Sequence, residues 1–236
     1  MVGAMTDTKN FPAAVLWDFD GTLVDTEPLW FAAEGAFIES RGGTWSEELA
    51  HELIGSALID GANKLLDALR SEGIEPDVET DDVVAELIDS VLASVVDGDY
   101  TWRPGARELL LGLRDRGIRC GLVSMSFRRM LETVAAELPE DTFEVIVPGD
   151  EVERGKPHPD PYLDAAAALG VDITDCIVME DSPTGAKSGV ASGAAVVAVP
   201  NLVPVAPGGR SVVLETLDGI GPDELIEAAR TAGGAA

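Results

Sequence analysis

The chain has 236 residues, 46% of them hydrophobic but only 5% aromatic, so its core must be built from Val, Leu, Ile and Ala. A formal net charge of −27 excludes the electrostatics of a nucleic-acid binder and disfavours an anionic membrane surface. An anionic substrate must then be drawn by a local positive site, either a cation or a lysine.

The first residues, MVGAMTDTKN, hold no long apolar stretch, so neither a signal peptide nor a membrane span is expected, and a cytoplasmic protein is the default. The run AAVLWD that ends at Asp18 is short, apolar and β-prone, and a polar glycine-containing loop follows it. That pattern predicts a buried strand feeding a functional loop. From Leu29 to about Val96 the periodicity turns helical. Leu58, Ala62, Leu65, Leu66 and Leu69 recur at helical spacing, as do Val83, Leu87, Val91 and Val95. Gly73, Pro76 and an acidic run to Asp82 punctuate them, which predicts an inserted bundle of about four helices. After Gly98, helices over Pro104–Arg116, Phe127–Glu137 and Pro161–Leu169 alternate with strands over Cys120–Val123, Phe143–Val147, Cys176–Met179 and Ala195–Val199. Apolar strands alternating with helices imply a parallel sheet covered on both faces, with ligands outside the carboxyl ends of its strands.

Polar residues cluster at those strand ends. Asp18 and Asp20 follow the first strand, Ser124 follows GLV, Lys156 lies in a loop after VIV, and Glu180 with Asp181 follows CIVM. Two carboxylates crowded at one strand end repel unless a cation relieves them, and an all-oxygen acidic set suits Mg²⁺. A solvated acidic turn or a helix cap would explain either acidic pair alone; the second pair far downstream is what favours a cation site. Asp181 is expected as a direct ligand and Glu180 as a ligand or a holder of water. In GKPHPDPY the prolines stiffen the loop, so Lys156 can hold a phosphate oxygen as a point charge. Ser124 and nearby N–H groups can bind other phosphate oxygens. Cys120 and Cys176 read as buried free thiols, and His51 and His158 lack the partners a zinc site or a triad needs. Arg103, Arg128 and Arg129 are expected to be solvated helix-surface residues.

DFDGTLVDTEP, LVSMS, GKPHPDPY and MEDSPTGAKSG, in this order, resemble the four motifs of haloacid dehalogenase (HAD) superfamily phosphotransferases. The resemblance implies an α/β fold: a Rossmann-like parallel-sheet core over residues 11–27 and 98–236, with a helical cap over residues 28–97. It implies Asp18 as nucleophile, Asp20 as general acid and base, and Ser124 and Lys156 as phosphate binders. It implies Mg²⁺ on Asp18, the Asp20 carbonyl and Asp181, with Glu180 in the same set. Gly21, Glu27, Ser124, Met125 and Lys156 are expected to line the substrate. The expected activity is hydrolysis of a small sugar or polyol phosphate through a phosphoryl-aspartate, by a monomer acting on a small metabolite. A β-phosphoglucomutase-like reaction and a non-catalytic binding role are the alternatives. Against the mutase, Trp30 stands where its pattern has a histidine, and Leu58 where its cap has an arginine. For Glu27, Trp30 and Leu58, packing and substrate contact are both open at this stage.

Overall fold

The computed structural model describes residues 11–53, 56 and 58–232. The chain divides into two compact units, Met1–Asp25 with Trp102–Ala236, and Thr26–Thr101.

The first unit is a parallel sheet of six strands in the order β5-β4-β1-β6-β7-β8. These are β1 (Ala14–Trp17), β4 (Arg119–Val123), β5 (Val145–Val147), β6 (Cys176–Glu180), β7 (Ala195–Ala198) and β8 (Ser211–Val213). A further two-stranded sheet pairs β2 (Val24–Asp25) with β3 (Thr101–Trp102). The central strands are apolar throughout because helices cover both faces. β1 is fully buried, with Ala14 opposite Arg119 on β4 and Cys176 on β6. Leu16, Val178 and Val196 share one core with Tyr162, Ala165 and Leu169 of α7 (Asp160–Leu169) and Ala186 of α8 (Pro183–Ser192). Val15, Ile177 and Val197 alternate to the other face. There α5 (Ala106–Asp115) and α9 (Pro222–Thr231) pack against β4, β7 and each other. A short helix, α6 (Arg128–Ala135), follows β4.

Because β4 and β6 flank β1 and run parallel to it, the chain crosses over in both directions from the first strand. This is the switch point where ligands of open α/β sheets bind. Main-chain bonds extend the ladders past the strand ends: Asp18 N–H to Met179 O at 3.0 Å, Ser124 N–H to Val147 O at 3.0 Å. Asp18 and Ser124 are therefore held as rigidly as the sheet itself.

The second unit contains α1 (Glu27–Ser40), α2 (Glu47–Leu53), α3 (Leu58–Ser71) and α4 (Thr80–Asp97). Val83, Leu87, Val91 and Val95 form the buried stripe of α4, which a Glu79–Asp82 capping box starts and left-handed Gly98 ends. Ala62, Leu65, Leu66 and Leu69 are buried on α3. Leu58 departs from the expected buried stripe: it is the first described residue of α3 and is 38% exposed.

Candidate active site

Asp18 sits one residue beyond β1 and is buried despite its charge. Its Oδ1 accepts from Lys156 Nζ at 2.6 Å and its Oδ2 from Thr22 Oγ1 at 2.9 Å. Thr22 also reaches Asp181 Oδ1 at 3.4 Å, so one hydroxyl spans the two acids. Gly21 adopts φ of +79°, and a β-carbon there would strike the Asp181 carboxylate and come within 3.2 Å of Asn201 Nδ2. Only glycine lets the loop turn left-handed and lie against the second acidic pair.

Asp20 faces β4. Ser126 Oγ donates to Asp20 Oδ2, and Ser124 Oγ lies 3.3 Å from the same oxygen. Ser126 N–H in turn donates to Ser124 Oγ at 2.9 Å, which fixes the Ser124 hydroxyl. The exposed Met125 between them receives Lys156 N–H on its sulfur at 3.4 Å.

Lys156 Nζ makes three bonds: Asp18, Glu180 Oε1 at 2.7 Å and Val123 O at 3.0 Å. An ammonium has three N–H groups, so all are used. Glu180 ends β6 and is 1% exposed. Besides Lys156 it accepts from Tyr162 Oη at 2.6 Å and from Ser182 Oγ at 3.3 Å. Ser182 also caps α8 by accepting from Gly185 N–H at 3.0 Å. A β-carbon on Gly185 would overlap the Glu180 carboxylate. The loop carrying Lys156 is tied down by Ser188 Oγ donating to His158 O at 2.6 Å.

Ligand oxygens of Asp18, Glu180 and Asp181 lie within 4.8 Å of one another. Burial raises the carboxyls of Asp18 and Asp181 above the ordinary range, and the neighbouring acids push further; Lys156 opposes both. Burial alone would lower Lys156, but Asp18 and Glu180 outweigh it and hold the ammonium charged. Burial and then Glu180 raise the Tyr162 phenol, which stays a donor. Three carboxylates, of which Asp18 and Glu180 are buried and Asp181 half-buried, against one ammonium leave uncompensated negative charge. The donor set is all oxygen, so the residues fit a hard divalent cation such as Mg²⁺.

The structure thus brings together Asp18, Asp20, Gly21, Ser124, Lys156, Glu180 and Asp181. Glu27 belongs to the helical unit and lines a cavity there with Trp30 and Leu58. Arg128 is occupied by Glu151 and Glu132, and His158 pairs with Asp160. Both cysteines are free and buried. Thr22, Ser126 and Tyr162 were not singled out from sequence. Each lies inside a quoted motif, but an uncharged hydroxyl gives no signal until its partner is known. No helix among the described residues is long and apolar enough to cross a membrane.

Residues 12–193 match the family model described as haloacid dehalogenase-like hydrolase. Hexitol phosphatase A of Escherichia coli K12 is 37% identical over 191 residues, covering 78% of this chain and 81% of that protein. Hexitol phosphatase B of the same strain is 33% identical over 186 residues, covering 73% and 76%. The bifunctional riboflavin kinase/FMN phosphatase of Arabidopsis thaliana is 32% identical over 196 residues. That match takes in 82% of this chain but spans about half the plant protein's length, at 50%. Among solved structures, a HAD hydrolase of Entamoeba histolytica superposes with a TM-score of 0.77 at 25% identity, covering 92% of this chain and 99% of that one. CbbY of Rhodobacter sphaeroides in complex with phosphate superposes at 0.74 with 24% identity, covering 90% and 98%, a likeness of fold. With an Asp-Lys-Asp cluster at the switch point of a parallel sheet and a family match across most of its length, the chain belongs to the haloacid dehalogenase-like hydrolases, as an enzyme of their phosphatase type.

Proposed function

We propose that the chain hydrolyses small phosphate monoesters of the sugar or polyol kind, through a phosphoryl-aspartate on Asp18. The observation that carries this is the placement of Asp18, with Lys156 on one carboxylate oxygen, Thr22 on the other, and Asp20 turned toward Ser124 and Ser126.

Asp18 attacks phosphorus as the bond to the ester oxygen breaks. Asp20, entering as the acid, gives its proton to the leaving alcohol. In the second half Asp20 takes a proton from water, which attacks the acyl phosphate, releases inorganic phosphate and restores Asp18. The serine hydroxyls hold the Asp20 carboxyl in one orientation for both transfers. Lys156 balances Asp18 and keeps it facing the incoming phosphoryl group. Mg²⁺, held by Asp18, the Asp20 carbonyl and Asp181, with Glu180 as ligand or through water, would supply positive charge against the phosphoryl oxygens.

The hexitol phosphatases and the FMN phosphatase among the relatives support a small phosphorylated metabolite as substrate. Leu58 and Trp30, an aliphatic group and an apolar ring, support water over a second sugar as acceptor. The experiment is a panel of phosphorylated metabolites with Mg²⁺, read as inorganic phosphate released. Turnover is expected for hexose or polyol monophosphates and is expected to vanish in EDTA and in Asp18→Asn. Full activity in either condition would end the proposal. Isomerisation of β-glucose 1-phosphate outrunning phosphate release would assign the mutase instead.

A further inference from the structure

The acids of the site differ in how firmly they are held. Asp18 accepts from Lys156 Nζ at 2.6 Å and from Thr22 Oγ1 at 2.9 Å. Glu180 accepts from Lys156, Tyr162 and Ser182. Asp181 has one side-chain bond among the described residues, the 3.4 Å approach of Thr22 Oγ1 to its Oδ1. A carboxylate that ligates a metal normally has its other oxygen held by a neighbouring donor, which fixes the oxygen it presents.

A donor stands beside Asp181 Oδ2. A β-carbon on Gly21 would strike Asp181 Oδ2 and come within 3.2 Å of Asn201 Nδ2, so carboxylate and amide border the same glycine from one side. Asn201 lies three residues beyond β7, the strand next to β6. Val199 N–H donates to Glu180 O at 2.7 Å, which carries the β6–β7 ladder to within two residues of Asn201. Asn201 thus follows the carboxyl end of its strand as Asp18, Ser124 and Asp181 follow theirs, at the edge where ligands of open α/β sheets bind. Its side chain is half-buried and makes no hydrogen bond among the described residues, so both amide N–H groups remain to be used.

The two oxygens of Asp181 face different ways. Oδ1 lies toward Thr22, whose hydroxyl also binds Asp18, and so is the oxygen on the side of the acidic cluster. Oδ2 lies toward Gly21 and Asn201. An amide can hold an oxygen there without bringing a charge that displaces the cation, as a lysine would.

We infer that Asn201 is a positioning residue: by rotation of its side chain its amide donates to Asp181 Oδ2, which turns Oδ1 toward the divalent cation. The inference rests on the phosphatase reading above and adds β7 to the strands that supply the site.

The test is Mg²⁺ titration by calorimetry on the full chain, on Asn201→Ala and on Asn201→Leu, with Leu202→Ala, an exposed neighbour, as control. Both Asn201 variants should bind Mg²⁺ at least tenfold more weakly, equivalent to about 1.4 kcal/mol and within the usual cost of about 10–100-fold for losing the partner of a metal ligand. Leu202→Ala should bind as the unaltered chain does. The Mg²⁺ concentration that half-activates p-nitrophenyl phosphate hydrolysis should rise by the same factor in the Asn201 variants, and excess Mg²⁺ should restore their rate. In EDTA the melting points of all four proteins should agree within about 2 °C, as for ordinary changes on a loop, whereas a merely structural role would lower them there. Unchanged Mg²⁺ affinity in both Asn201 variants, or a lowered melting point of both in EDTA, would overturn the inference while leaving the phosphatase reading intact. Absence of Mg²⁺ binding by the unaltered chain would overturn both.

Discussion

Replacing Lys156 by Met keeps most of the length of the side chain and deletes the ammonium that sits among the acids of the site. Three bonds go with it: to Asp18 at 2.6 Å, Glu180 at 2.7 Å and Val123 O at 3.0 Å. Removing one partner of a buried ion pair typically costs about 3–5 kcal/mol, because the other charge is left uncompensated. At about 2–4 °C per kcal/mol for a chain of this size, the melting transition of the catalytic unit should fall by roughly 6–20 °C at pH 8. The pH dependence carries the sign of the argument. Asp18 and Asp181 already lie above their unfolded values through burial, and loss of Lys156 raises them further. An acid raised on folding lends its stability at low pH and loses it as pH rises through the folded value. The deficit should therefore be smallest near pH 5, where these acids take up protons, and should grow through neutrality. Urea melts of both proteins at pH 5 and pH 8 read the difference directly. A deficit that is equal at both pH values would show that Lys156 does not compensate these carboxylates.

The remaining expectations concern single groups. Asp20→Asn should lower kcat by about 10²–10⁴-fold, the usual worth of a general acid or base, with Mg²⁺ affinity by calorimetry little changed because its carbonyl persists. Gly185→Ala should drive a methyl into the Glu180 carboxylate that Lys156, Tyr162 and Ser182 hold. Overpacking of this kind costs about 1–3 kcal/mol, so a melting point within 1 °C of the parent would count against the rigid placement of Glu180. Glu34 has a folded value of about 7 against 4.5 unfolded, so its contribution to stability is full below about pH 4.5 and is lost through about pH 7. Glu34→Gln should raise the melting point at pH 8 and hardly move it at pH 4.5; an equal rise at both would refute the role of the charge.

The central strands were legible because they are buried on both faces. AVLW, RCGLV and CIVME read as apolar runs, whereas their spatial order around β1 is visible only in the fold. β8 was not, since SVV is a short edge strand with every residue half-buried. α9 buries Leu225 and Ala229 alone, too sparse a stripe to announce a helix. The charged site residues were legible from their positions after strands. Thr22, Ser126 and Tyr162 were not, because a hydroxyl takes its meaning from the acid it meets, and those acids lie on other elements. The cavity that Glu27, Trp30 and Leu58 line together with Glu34 was invisible for the same reason: its walls come from α1, α2, α3 and α4, and the buried Glu34 Oε2, without a hydrogen-bond partner among the described residues, is a property of packing rather than of sequence.

Charge poses one problem at two scales. The chain is strongly acidic, yet its substrate is an anion. Within the site, Asp18, Glu180 and Asp181 outnumber Lys156, and every N–H of that lysine is engaged. Lys156 can meet a phosphate oxygen only by giving up one of its present acceptors. Asp18 and Glu180 are charged acceptors at 2.6 and 2.7 Å, whereas Val123 O is neutral and at 3.0 Å. The ammonium charge assists all three bonds, but only those to Asp18 and Glu180 pair it with a carboxylate, so the Val123 bond is the one that yields. On the proposed mechanism Lys156 would then touch Asp18, Glu180 and the phosphate together and orient all three. That exchange still leaves the carboxylates and a phosphate dianion facing a single positive charge. Lys156 therefore accounts for the direction of binding but not for its strength, and the all-oxygen acidic set beside it is where the missing positive charge belongs.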